Sequence, residues 1–313
     1  MDPLAALLDG PRAHGAFLLR SVLTPPWSLR IEDEAPLTIV AVVAGEAWLV
    51  PDHGDATHLE AGDIAIALGP DPYLFADDPA TPPQAVILPG QECRTPDGEH
   101  LIDLVDVGVR TWGTPAGGTT VLLTGTYPRV GEVSRRLLAA LPQTLLVRAA
   151  DWDSPLVPLL ATEIGKDVPG QEAVLDRLLD LLLIAALRTW FARPGSPAPA
   201  WYHAHDDPVA GRALRLLQDQ PAHPWTVAGL AAGTGVSRAA LARRFTATVG
   251  ESPMAYLAAW RLALAADLLR QQPDTTIGAI ARQVGYGSAF ALSAAFKREY
   301  GRSPQQYRTR VPA

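Results

Sequence analysis

The feature that most restricts this chain is that its last third repeats itself. Thr226, Val227, Leu230, Ala231 and Gly235 recur 50 positions later as Thr276, Ile277, Ile280, Ala281 and Gly285. Past the glycine the offset becomes 51, so that Ser237, Leu241, Phe245, Gly250, Pro253 and Tyr256 recur as Ser288, Leu292, Phe296, Gly301, Pro304 and Tyr307. An inserted residue costs least inside a turn. The otherwise unchanged spacing requires one supersecondary unit to form twice.

Each copy predicts helix, turn, helix. In the first, Thr226 has an N-cap side chain, Leu230 and Ala231 are the apolar positions of a short helix, and Gly235 permits a tight turn. Ser237 then caps a second helix from Arg238 to about Thr248, with Leu241 and Phe245 inward and Arg238, Ala239, Ala242 and Arg243 outward. The second copy has Gly285-Tyr286-Gly287 as its turn and Ser288 as its cap. Leu292 and Phe296 face inward, and Ala289, Phe290, Ser293, Ala294 and Lys297 outward. Small outward residues let a helix approach base edges and thymine methyls in a major groove, and Arg243 can pair with guanine. A helix opening at Ser252-Pro253 and running to about Gln271 joins the copies, with Leu257, Trp260, Leu264 and Leu268 as its apolar stripe. Its eighteen or so residues span roughly 27 Å, against about 34 Å between successive major grooves on one DNA face. One chain could therefore read two grooves.

The net charge of the 313 residues, 26 basic against 33 acidic or −7, by itself disfavours a nucleic-acid partner. The Pro/Ala/Ser-rich stretch from Arg193 to Pro208 reads as a linker, and cutting there reverses the inference. Residues 1–207 hold 13 basic and 28 acidic side chains, a net of −15, whereas residues 208–313 hold 13 and 5, a net of +8. Twelve of those 13 cations are arginine, whose planar fork suits phosphates and base edges. With a Debye length near 8 Å, the local sum matters more than the total. Length predicts two domains. A single cysteine, Cys93, excludes an internal disulfide framework and a multi-cysteine zinc site. Met1 to Gly10 carries Asp2 and Asp9 without a basic n-region, and the apolar run near Leu178 to Leu187 is shorter than a membrane span. The expectation is a soluble, cytoplasmic protein.

The runs from Trp225 to Leu257 and from Thr276 to Arg308 resemble the DNA-binding domain of the AraC/XylS family of transcriptional regulators. Gly285-Tyr286, Phe296-Lys297 and the Gly301 to Arg308 element carry the likeness, which covers essentially all of residues 208–313. It implies an all-α domain of two helix-turn-helix motifs joined by a long helix, binding promoter DNA and contacting RNA polymerase. In the family the first recognition helix usually carries most base readout, which falls on Ala239, Ala242 and Arg243. An arginine commonly follows the serine of the second helix, and here Ala294 follows Ser293. That leaves Lys297 and Arg298 as phosphate contacts and the second helix as a positioning element.

The acidic half reads first as strands. Phe17 to Leu23, Leu37 to Val43, Glu46 to Val50 and Asp63 to Leu68 are β-branched and aliphatic, with breaks at Gly45, Pro51 to Gly54, Gly62 and Gly69-Pro70. The stretches Leu59 to Ile64 and Gly69 to Tyr73 resemble a hairpin of cupin domains, so the expected class is α+β, a cupin-like barrel over about 1–126 with supporting helices over about 130–192. His53 and His58 flank a turn with no His-x-His pair after Gly45, and Tyr73 stands where many cupins have a histidine. A metal site, a cofactor and catalytic residues are therefore not expected. Trp48 and Tyr73 are candidates to line a small-molecule pocket, or else ordinary core. Cys93 could form an intersubunit disulfide or sense oxidants, but it has no resolving partner.

Glu132 to Leu141, Ser154 to Gly165 and Gly170 to Ala192 follow helical spacing. The last, with Val174, Leu175, Leu178, Leu179 and Leu181 to Leu183, is apolar around most of its circumference and is expected to be buried. By resemblance these helices support a homodimer. The leading functional expectation is a DNA-binding transcription factor controlled through its N-terminal half; the rivals are a cupin enzyme fused to a DNA-binding module and a ligand-independent DNA-binding dimer.

Overall fold

The computed structural model describes residues 16–99, 105–114, 117–128, 138–139, 141–193, 202 and 204–309. They fall into two compact units, a strand-rich one within 16–128 and 142–193 and a helical one within 202–309. Most of the helix expected over Glu132 to Leu141, like most of the linker, lies outside the described residues.

The strand-rich unit begins with β1 (Phe17–Leu23), β2 (Ser28–Ile31), β3 (Leu37–Ala44), β4 (Glu46–Pro51), β5 (Thr57–Glu60), β6 (Ile64–Ala67) and β7 (Tyr73–Ala76). It continues with β8 (Ala85–Leu88), β9 (Glu92–Arg94), β10 (Val105–Gly108), β11 (Thr111–Gly113), β12 (Thr120–Tyr127) and β13 (Thr144–Val147). They form a seven-stranded sheet in the order β10-β11-β1-β12-β3-β6-β13 and a six-stranded sheet in the order β5-β4-β7-β2-β8-β9. Side chains from both sheets make one apolar cluster, including Leu23, Val40, Val42 and Leu122 of the first and Leu29, Leu49, Leu59, Tyr73 and Phe75 of the second. This is the two-layer arrangement of a small β-sandwich or barrel. Two helices follow, α1 (Leu156–Glu163) and α2 (Gln171–Ala192). Gly125 of β12 lets α2 press on the sheet, since a Cβ there would stand 2.3 Å from Leu179 Cδ1. The apolar character of α2 does not bury it all round: Leu175, Leu179, Leu183, Ala186 and Leu187 are covered, while Val174 and Leu181 are 44% and 49% exposed.

The helical unit holds α3 (Ala210–Asp219), α4 (Val227–Thr234), α5 (Arg238–Val249), α6 (Pro253–Gln271), α7 (Ile277–Gln283), α8 (Ala289–Tyr300) and α9 (Pro304–Thr309). The repeat is visible in its caps. Thr226 Oγ1 accepts from Gly229 N at 3.0 Å and Thr276 Oγ1 from Ala279 N at 3.2 Å. Ser237 Oγ accepts from Ala240 N at 3.2 Å and Ser288 Oγ from Ala291 N at 3.1 Å. Each such bond satisfies one orphan donor and contributes on the order of 1 kcal/mol. The turn glycines both adopt positive φ, +74° at Gly235 and +87° at Gly285, but only Gly285 is also crowded, a Cβ there meeting Ala222 Cα at 2.8 Å.

Helix α6 does more than span the two motifs. Tyr256 stacks on Trp260 and meets Phe245 edge-on at 6.0 Å, whereas Leu262, Ala265, Ala266 and Leu269 join Ile280, Leu292, Phe296 and Tyr307 in the second core. The expected stripe of Leu257, Trp260, Leu264 and Leu268 is thus half right: Leu257 and Trp260 are buried, but Leu262 and Leu269 are covered more fully than Leu264 and Leu268. A helix shared by two cores buries two faces, which a single-stripe reading misses.

Candidate nucleic-acid interface

The outward side of each motif follows from its burial pattern. Leu241 and Phe245 fix the inner face of α5, so Ala239, Arg243 and Thr246, three and four residues apart, share the opposite exposed face. Arg238 is also exposed, and Ala242 sits half-buried at the margin. Thr246 was not among the expected contacts, although the same i, i+4, i+7 arithmetic places it on this face. In α8, Leu292 and Phe296 face inward, and Phe290, Ala294 and Lys297 form the exposed stripe. Ala289 and Ser293 are half-buried at its edge, and Arg298 is exposed beside it.

Not all of the +8 is available to a partner. Arg261 donates to Pro221 O at 2.7 Å and His223 O at 2.8 Å, and burial lowers its pKa. Arg270 lies 4.6 Å over the Tyr307 ring and Arg308 donates to Thr275 O at 2.6 Å. These three cations stitch the unit together. Arg244, next to Arg243, turns its Nε to both carboxylate oxygens of Asp207, at 2.7 and 3.0 Å. Asp207 also accepts from Val209 N and Ala210 N at the start of α3. Burial raises the Asp207 pKa, but the Ala210 amide, the Arg244 guanidinium and the Val209 amide outweigh it and hold the carboxyl below its usual range. The end of the linker sequence is therefore fastened to the first recognition helix. Apart from Arg244, which Asp207 holds, the exposed cations on α5, α7 and α8 are Arg238, Arg243, Arg282, Lys297 and Arg298. Arg282 lies in the last turn of α7 and is exposed.

Residues 2–192 match the cupin family and residues 230–310 match a helix-turn-helix domain family. An AraC-like transcription regulator of Streptomyces antibioticus is 32% identical over 98% of both chains. The chain belongs to the AraC family of transcription regulators. The HTH-type transcriptional regulator AlkR of Acinetobacter baylyi is 26% identical, covering 98% of this chain and 99% of that one. Among solved structures, the DNA-binding domain of AdpA, in complex with a target DNA, is 31% identical over 33% of this chain and 91% of that chain, with a TM-score of 0.31.

In this AraC-type regulator the two expected pocket residues do not converge. The β4–β7 register pairs Pro51 with Tyr73 and Leu49 with Phe75, putting Tyr73 on the core face. Trp48, one residue from Leu49, faces the other way and packs on His58 at 4.8 Å. Tyr73 is 7% exposed within the apolar cluster, and burial raises its pKa strongly. The two side chains leave opposite faces of the sheet. His58 Nε2 lies 3.1 Å from Glu46 Oε2, while His53 is exposed on the turn before β5. Among the described residues no group of three His, Cys, Asp or Glu side chains is placed to hold a metal ion, and no helix is long and apolar enough to cross a membrane. Cys93 packs against the apolar cluster, and burial pushes its thiol up to about 11. At neutral pH that leaves very little of the thiolate that redox chemistry requires.

Proposed function

We propose that this regulator binds double-stranded promoter DNA with both recognition helices, α5 and α8 entering successive major grooves of one face. The carrying observation is the exposed stripe that recurs at an offset of 51: Ala239, Arg243 and Thr246 on α5, Phe290, Ala294 and Lys297 on α8. In this reading Arg243 pairs with a base, with Arg238, Ala239 and Ala242 closing the contact. Ala289, Phe290, Ser293 and Ala294 face the second groove, and Lys297 and Arg298 hold phosphates. Helix α6, 19 residues and so about 28 Å long, sets the spacing.

The wider assignment is residues 1–192 as a cupin-like sensor and dimerisation domain, 193–207 as linker and 208–313 as DNA-binding domain. We read the cupin domain as a sensor and not an enzyme, because its two central histidines are an exposed turn residue and a partner of Glu46. A small-molecule effector would bind two sensor states unequally and so bias the DNA-binding domain, which contacts RNA polymerase in the cytoplasm. The exposed Leu159, Val174 and Leu181 of α1 and α2 support homodimerisation there. The test is selection of bound duplexes from a random pool by the full chain. A site with two specified elements about one helical turn apart is expected; recovery of unenriched sequence would reject the proposal.

A further inference from the structure

The two recognition helices present different chemistry at equivalent positions. An offset of 51 carries Ala239 to Phe290, Arg243 to Ala294 and Thr246 to Lys297. On α5 a small residue in the first turn is followed by a guanidinium in the second. On α8 an aromatic ring in the first turn is followed by a methyl group, and the charge is deferred to the third turn.

Phe290 is 84% exposed, whereas the other large exposed apolar residues among those described lie between 37% and 52%. Its ring therefore does no packing that the fold depends on, and Leu292, Ala295 and Phe296 supply the inner face of α8 without it. A phenylalanine held in water on a helix whose last turn carries exposed Lys297 and Arg298 calls for an occupant that is apolar at the ring and anionic further along the helix. Duplex DNA offers both in the major groove, where the thymine C5-methyl is the one apolar group on a base edge and phosphates flank it. Neither Phe290 nor Ala294 can donate or accept a hydrogen bond, and Ser293 is half-buried at the stripe's edge.

We infer that α8 reads thymine through Phe290, whose ring packs on one or two C5-methyl groups of the second half-site. This rests on the DNA-binding reading above and extends it: α8 is a reader by apolar contact in addition to a phosphate-held positioning element. Residues near the start of a recognition helix are the ones that reach base edges, and Phe290 is the second residue of α8.

The test uses a duplex selected by the full chain, with each thymine of the second element replaced in turn by deoxyuridine, which removes only the methyl group. One or two replacements are expected to weaken binding about fourfold each, the effect of withdrawing one buried methyl. Phe290→Ala is expected to weaken binding to the thymine duplex by a similar or larger factor and to leave binding to the uracil duplex nearly unchanged relative to wild type. The two changes would thus fail to add. An unchanged thermal melt checks that the variant is folded. A second element without thymine, no loss on deoxyuridine substitution, or an equal loss from Phe290→Ala on both duplexes would overturn the inference; the last is what a ring wedged between base pairs would give. Failure of the selection to enrich any sequence would instead strike the DNA-binding reading itself, so the two failures are told apart.

Discussion

Phe296→Ala should destabilise the second helix-turn-helix motif by about 3 to 5 kcal/mol, the usual cost of deleting a fully buried aromatic ring. The ring is wholly inaccessible and touches Tyr300 at 4.5 Å and Tyr307 at 5.2 Å, in a cluster that also takes Leu292 of its own helix and Leu262, Leu269 and Ile280 from the neighbouring helices. Loss of the ring leaves a cavity walled by four helices that cannot close independently. Hydrogen exchange of the full chain measures the effect where it falls: amides of α7, α8 and the second half of α6 should exchange about 100-fold faster or more, and those of the cupin domain should not. Phe296→Leu, which keeps most of the volume, should cost distinctly less. A loss under 1 kcal/mol from Phe296→Ala would mean that the second motif is not packed as described.

Arg243→Ala should reduce affinity for a selected site by about 1 to 3 kcal/mol, or 5- to 150-fold, and relax base preference at one position. Arg243 is exposed on α5, so the change leaves the fold intact. Lys297→Ala should behave differently. As a phosphate contact it should weaken all sequences together and lower the slope of log K against log salt by about one. Anisotropy titrations on matched and mismatched duplexes at several salt concentrations separate the two. Equal, sequence-independent losses from both variants would contradict the roles given to them.

Much of the helical unit was legible in the sequence because its signals are local. Thr226, Ser237, Ser252, Thr276 and Ser288 all cap the helices they precede. Helix α3 was not anticipated, although Ala210, Ala213, Leu214 and Leu217 have its spacing; it lies outside the repeat. Charge was legible as a sum but not as a surface, since only the structure separates Arg261, Arg270 and Arg308, spent on carbonyls and a ring, from Arg243 and Arg282. In the cupin domain four strands were foreseen and, among the described residues, nine more form, most of them three or four residues long and too short for alternation to declare itself. The opposite orientation of Trp48 and Tyr73 was illegible for a related reason. Which face each takes depends on the β4–β7 register, a non-local quantity that a shift of one residue would invert.

If one chain reads two grooves at once with helices tied by α6, the spacing between the two elements of the selected site cannot be changed freely. Five base pairs inserted between the two elements turn one through half a helical turn, so that the second groove faces away from α8. Affinity should then fall to that of a duplex carrying the first element alone. Full affinity retained across the insertion would contradict the reading of two grooves by one chain.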